Sequence, residues 1–301
     1  MNRLLYKLYN IPVWLITLLP LRILYLLSDF FFFLIYYIAR YRKGVVMTNL
    51  MNAFPEKQVR EIKHTARKFY RHLCDNFIES FYVLNMSAKE LNERYRYKNI
   101  ELLKEILQQN NNIIMVLGHY GNWDWLCGLP YHIDSQVVAI YHPLSNKYFN
   151  ELFTRLRTKF GVKLIQMSTA YREMLKAKQN NISTITFFLA DQRPIWSSAR
   201  YWTTFLNQET PVLLGSEAIA KKLDQPVVFL CVRKIKRGYY ESEFKSVSKN
   251  PAQTKEFEIT ETHTRMLEQV IVDNPEYWLW SHKRWKHKRE DIEQRLKRKD
   301  D

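Results

Sequence analysis

Five short apolar runs recur along this chain, set apart by stretches of helical periodicity: Asn111 to Leu117, Val137 to Tyr141, Val162 to Ile165, Thr184 to Ala190 and Pro226 to Arg233. Runs this short suit strands rather than helices. Apolar character at successive positions suits strands buried on both faces. Between them, Asn146 to Lys159, Thr169 to Lys178 and Gly215 to Leu223 read as helices. Strand and helix in alternation predict an α/β fold, with a mainly parallel central sheet covered by helices on both faces. Tyr239 to Val247 alternates apolar and polar residues and is expected at a sheet edge. Upstream, Gln58 to Leu84 carries Ile62, Ala66, Phe69, Tyr70, Leu73, Phe77 and Phe81 at helical spacing. From Thr254 the chain reads as helix and then turns strongly basic from Ser281 onward.

The first forty residues are different in kind. Leu8 to Leu21 carries no charge, and Phe30 to Ala39 is a second apolar run. Arg22 and Asp29 interrupt them, and each run falls short of the ~20 residues of a simple bilayer span. Pro20 can break or kink the segment. The stretch has no small-residue cleavage site, so an anchor is expected rather than a removable signal. Tyr, Trp and Phe at its edges, with Arg40, Arg42 and Lys43 just beyond, fit the pattern of a membrane interface. The sequence therefore divides into a hydrophobic membrane anchor over 1–43, as one tilted span or a re-entrant pair, and a single domain over 44–301 with a basic tail.

The formal charge is +16, which points to an anionic partner. No nucleic-acid-binding signature accompanies it, and the apolar N-terminus favours anionic lipid over nucleic acid. Cys74, Cys127 and Cys231 are widely spaced and odd in number, giving neither a disulfide framework nor a metal-ligating CxxC pair. Burial is the role expected of each.

Chemistry concentrates in Gly118-His119-Tyr120-Gly121-Asn122-Trp123-Asp124-Trp125, immediately after the first buried strand. Ligands of open parallel sheets bind at the carboxyl ends of strands, so this junction is where a site belongs. Gly118 and Gly121 allow a tight turn, and Asn122 can cap the helix that follows. Five residues separate His119 from Asp124, about 140° on a regular helix. The two can therefore meet only with His119 in the loop and Asp124 in the first helical turn. So placed, Asp124 would hold the imidazole and His119 would deprotonate an attacking hydroxyl. His263 is likewise followed five residues later by an acid, Glu268, but inside a helical stretch with no strand or glycine before it. That second spacing reads as coincidence.

GHYGNWDW resembles the HX4D motif of the lysophospholipid acyltransferase superfamily, in the form carried by bacterial lipid A biosynthesis acyltransferases. The resemblance extends through Tyr41-Arg42-Lys43, Asn49-Leu50, Ala53-Phe54-Pro55, Tyr141-His142-Pro143-Leu144, Arg155-Leu156-Arg157, Asp191-Gln192 and Trp280-Ser281-His282-Lys283-Arg284-Trp285-Lys286. Two places depart from the family pattern. His142 stands where arginine is common, and a long aromatic segment follows Asp191-Gln192 where a glycine-rich turn is usual.

The resemblance implies transfer of a fatty acyl chain from acyl carrier protein to a hydroxyl of a lipid A precursor or related glycolipid. It implies a site on the cytoplasmic face of a bacterial inner membrane, with no metal or other cofactor. His119 and Asp124 would be catalytic. Arg157, Arg155, Asp191 and Asn122 are candidates for substrate contact, the arginines through phosphate or a developing oxyanion. Trp123, Trp125, Tyr201 and Trp202 are candidate walls of an acyl channel. The denser basic residues after the anchor favour a cytoplasmic C-terminal side, where anionic lipid and an acidic carrier would be met. Two other readings share these features: acylation of another membrane lipid, of aminolipid or phosphatidylinositol mannoside type, and a non-catalytic protein binding anionic lipid.

Overall fold

A computed structural model describes residues 17–292. In spatial order its main sheet runs β1 (Tyr95–Tyr97), β9 (Tyr239–Ser248), β8 (Val227–Lys236), β2 (Asn112–Leu117), β5 (Thr184–Leu189), β3 (Gln136–Tyr141) and β4 (Lys163–Gln166). Only β8 and β9 pair antiparallel. The expected α/β architecture with a mainly parallel sheet is present. Tyr239 to Val247 is not an edge, however, because β1 pairs beyond it. The three-residue β1 is too short to show a period in the sequence.

Side chains alternate across the sheet and build two apolar layers. Ile113, Met115, Leu117, Ile185 and Phe187 face one layer, with Leu103 and Ile106 of α5 (Glu101–Asn110) and Leu152 and Leu156 of α6 (Lys147–Thr158). Ile114, Val116 and Phe229 face the other. There they meet α3 (Val59–Tyr82), α7 (Ala170–Gln179), α8 (Gly215–Leu223) and α9 (Glu258–Asp273). The aromatic segment after Asp191-Gln192 contains a hairpin of β6 (Trp202–Phe205) and β7 (Gln208–Pro211). Leu206 and Asn207 both have positive φ, the conformation a two-residue hairpin turn needs.

The first described helix, α1 (Leu21–Phe33), continues as a π-helical turn through Ile38. It is the one described helix long and apolar enough to cross a membrane. It nevertheless lies against the domain. Leu21, Leu24, Ser28 and Phe32 form its buried stripe, whereas Ile23, Leu26, Phe30 and Phe33 on the opposite side are 47–69% exposed. Polar contacts fix the inner side to α3: Tyr25 donates to Glu79 at 2.7 Å and Ser28 to Asp75 at 2.8 Å. Arg237, in the β8–β9 turn, bridges Asp29 at 2.8 Å and Asp75 at 2.7 Å. Asp29 is thus one half of a clasp between α1 and the sheet rather than a chance interruption of an apolar run. Leu8 to Asn10 and the rest of 1–16 lie outside the described residues.

Arg237→Ala should loosen this clasp. Asp75 keeps Lys234 at 3.2 Å, so the expected loss of stability is partial, about 1–3 kcal/mol. Hydrogen exchange across residues 21–33 should accelerate well before that of β2 and β5. Equal exchange in the two proteins would show that apolar contact alone seats α1.

Candidate active site

β2 and β5 are neighbours in register, with Leu117 opposite Leu189. Two residues beyond each partner lie His119 and Asp191, so the parallel pairing brings them side by side at the carboxyl edge of the sheet. The imidazole Nδ1 is 2.7 Å from Asp191 Oδ1, and the His119 backbone N–H donates to Oδ2 at 2.8 Å. Trp278 Nε1 also donates to Oδ2, at 2.8 Å. Burial opposes the charge of Asp191, but the His119 charge and these hydrogen bonds prevail and hold its pKa down at about 2. An ionised acceptor fixes the proton on Nδ1 and leaves the Nε2 lone pair available. The Gln192 side-chain amide lies 3.2 Å from Nε2.

Asp124 does not hold the imidazole. After Gly121, whose φ is +63°, the chain enters a 3-10 segment over Asp124–Tyr131. The expected α-helical turn that would have returned the carboxylate to His119 is not formed. Asp124 instead accepts from Ser80 Oγ at 2.7 Å and lies 3.6 Å from Arg157 Nε. Trp123 occupies the space beside the imidazole, its ring edge-on at 5.2 Å. The motif's acid thus anchors an arginine, and Asp191 serves the histidine.

The other candidates separate clearly. Arg157 is half-buried at the mouth of an apolar pocket, while Arg155 points to solvent from the same helix. Asn122 is buried, taking Trp125 N–H on its oxygen and donating to Glu79, so it fixes the loop and offers nothing to a ligand. Of the four aromatics, only Trp123 lines the pocket. Trp125 is buried against Tyr240, and Tyr201 stacks on Phe257. Exposed His142 does not reach it, although the adjacent Tyr141 does. Glu268 pairs with Arg265 and the Leu206 N–H, not with His263, as the coincidence reading required.

The pocket is small, about 50 Å³, and lies beside β3 against the first apolar layer. Leu126, Cys127, Ala139, Leu164, Phe187 and Leu189 make it apolar, and Asp124 and Arg157 are its charged lining residues. Such a lining suits an apolar group with a cation close by.

The sequence reading missed the polar inner stripe of α3. His72, Asp75, Asn76, Glu79 and Ser80 are buried at helical spacing, and Phe77, one of the apolar residues of that spacing, is 53% exposed. Asn76 donates to the Gly121 carbonyl at 2.6 Å, Glu79 accepts from Asn122 at 2.7 Å, and Ser80 donates to Asp124. Burial raises the Glu79 pKa despite nearby Lys234 and lowers that of His72, with Lys234 adding to the effect. The period was visible in the sequence, but it ran through polar residues. The basic C-terminal segment is in part buried, with Ser281 and Arg284 6% and 2% exposed. Its start is an irregular clamp: Tyr277 O accepts from Gly121 N at 3.0 Å, and Asn49 Nδ2 donates to Trp280 O at 2.9 Å.

Asp191→Asn should lower turnover about 10³–10⁴-fold, by analogy with loss of the imidazole-orienting carboxylate in other bases. Asp124→Asn keeps an acceptor for Ser80 and loosens only Arg157, so its cost should be smaller. Steady-state turnover of the two purified variants decides it; the reverse order would return Asp124 to the role of imidazole partner.

A fold with this edge-of-sheet histidine, and a pocket beside it, agrees with one family comparison. Residues 2–287 match the profile described as bacterial lipid A biosynthesis acyltransferase. No match to a curated protein was found. The matched span is nearly the whole chain, and the protein belongs to the bacterial lipid A biosynthesis acyltransferase family.

Proposed function

We propose that this acyltransferase moves a fatty acyl chain from acyl carrier protein to a hydroxyl of a lipid A precursor, with His119 as general base. The observation that carries the reading is the 2.7 Å contact between His119 Nδ1 and ionised Asp191, which commits Nε2 to accepting a proton. The acceptor hydroxyl displaces the Gln192 amide and gives its proton to Nε2. Its oxygen bonds to the thioester carbonyl carbon, and the carbonyl π electrons move onto oxygen. Arg157, held by Asp124, faces that oxyanion, as a guanidinium does well. Collapse breaks the carbon–sulfur bond, and the imidazolium returns the proton to the thiolate. This sequence requires no metal or redox group. The acyl chain lies in the apolar pocket, and the phosphates of the glycolipid and the acidic carrier are drawn by the +16 charge. An aminolipid or phosphatidylinositol mannoside type of acceptor would use the same machinery.

The helix α1 supports a membrane seat. Its outward face is apolar, and Arg60, Lys63, Arg67 and Arg71 form an exposed row along α3 beside it. Arg71 lies 5.1 Å over the Phe32 ring and Lys43 4.2 Å over that of Tyr36. Apolar face and cationic rim suit an in-plane helix on an anionic inner-membrane surface, cytoplasmic side, rather than a span.

Transfer is tested with purified protein in detergent, acyl-carrier thioesters of graded length and a lipid A precursor. Wild type should transfer label, and His119→Ala should lose at least about 10²-fold. Ala139→Phe, which fills the pocket, should shift preference to shorter donors. Full transfer by the His119 variant would end this reading. Seating is tested by sedimentation with anionic phospholipid vesicles. Leu26→Glu combined with Phe30→Glu, at positions 69% and 55% exposed, should abolish binding without lowering the unfolding midpoint. Undiminished binding would contradict the in-plane face.

A further inference from the structure

Behind Asp191, away from the acyl pocket, lies a small second cavity lined by Asp191, Phe205, His263, Thr264, Leu267 and Arg284 among others. Arg284 comes from the basic C-terminal segment, yet it is 2% exposed. One Nη donates to the Pro211 carbonyl at 2.5 Å, while Nε and the other Nη have no hydrogen-bond partner. A buried guanidinium is costly unless a negative charge answers it. The only acidic residue in the cavity wall is Asp191.

We propose that Arg284 is a positioning residue for the base: facing Asp191 across this cavity, it keeps the carboxylate ionised and turned toward Nδ1 of His119. The inference rests on the proposed role of His119 and extends it backward by one residue. Asp191 is then answered from two sides, by His119 and Trp278 in front and by Arg284 behind. The neighbouring groups leave that assignment intact. Burial keeps His263 and His282 neutral, each with a pKa lowered to about 4. Arg193 acts on Arg284 and His282 as a second cation and cannot neutralise either. Burial lowers the Arg284 pKa to about 10 against the opposing pull of Asp191, so the guanidinium stays charged at physiological pH. The surroundings also hold the side chain in place. Trp285 Nε1 donates to Thr210 Oγ1 at 2.6 Å, and Asn49 and Arg42 grip the carbonyls of Trp280 and Ser281.

The test compares full-length Arg284→Gln, which can still donate to Pro211 O, with Arg284→Met and Arg284→Lys. Both neutral variants should lose turnover by about 10–100-fold, the usual cost of removing an outer partner, with KM little changed. The acid limb of their pH–rate profile should move to higher pH, because a cation near the imidazole is gone. Arg284→Lys should restore most of the turnover and the limb. A peg with only a structural role would lower the unfolding midpoint and leave the pH profile where it was; that result overturns the proposal. NMR gives a reading independent of catalysis. In Asp191→Asn the Arg284 Nε–H resonance should shift, and in wild type the His119 nitrogens should report a single tautomer with the proton on Nδ1. An Arg284 resonance unmoved by Asp191→Asn also overturns the proposal. Transfer surviving in His119→Ala, with the Arg284–Asp191 coupling intact, would instead remove the catalytic reading and leave the brace.

Discussion

One buried carboxylate organises this protein. Asp191 is 6% exposed, accepts three hydrogen bonds and remains ionised, a state that solvent does not support and the surrounding chain must. The donors, two from His119 and one from Trp278, come from separate parts of the chain. The β2–β5 register delivers His119. The C-terminal segment delivers Trp278. Gly118 permits the approach: a Cβ there would lie 2.7 Å from Leu267 and 3.4 Å from an Asp191 oxygen. Remove any one and the charge loses an answer while staying out of water.

The fold was legible because buried parallel strands announce themselves as unbroken apolar runs. His119 was legible for the same reason, standing with two glycines at the end of such a run. Its partner was harder, and the failure has a physical cause. A spacing of five invites a local pairing, yet the local chain turns as a 3-10 segment and carries Asp124 toward Ser80 and Arg157. The signal for Asp191 lay elsewhere. Two apolar runs end in Leu117-Gly118-His119 and Leu189-Ala190-Asp191, and two parallel strands paired Leu to Leu place those endings together. Reading it required the strand order, and one sequence does not contain that. The α3 stripe was illegible differently, because buried histidine, aspartate and glutamate look like a solvated face until their partners are known.

Several of the scattered motifs that suggested the family form one assembly. Asn49 and Arg42 from the start of the domain bind the carbonyls of Trp280 and Ser281 near its end, and Phe54 packs on Trp280 with ring centroids 5.9 Å apart. Trp278 on the same segment reaches Asp191. Residues more than 230 positions apart therefore share the task of setting one carboxylate. Loop closure over that distance is entropically expensive, so these contacts belong to a cooperative whole rather than to local preference.

The N-terminal helix obeys the same logic on the opposite flank. On its inner side α1 commits Tyr25, Ser28 and Asp29 to Glu79, Asp75 and Arg237. Glu79 in turn accepts from Asn122 in the loop that carries His119, and Asp75 from Lys234 of β8. Pulling α1 into hydrocarbon would break those bonds and strand two buried carboxylates beneath the site. The inner side of α1 is thus committed to the domain, while Ile23, Leu26, Phe30 and Phe33 on the other side stay exposed. Through Glu79, its inward polar residues tie the His119 loop and α3 to the N-terminal helix.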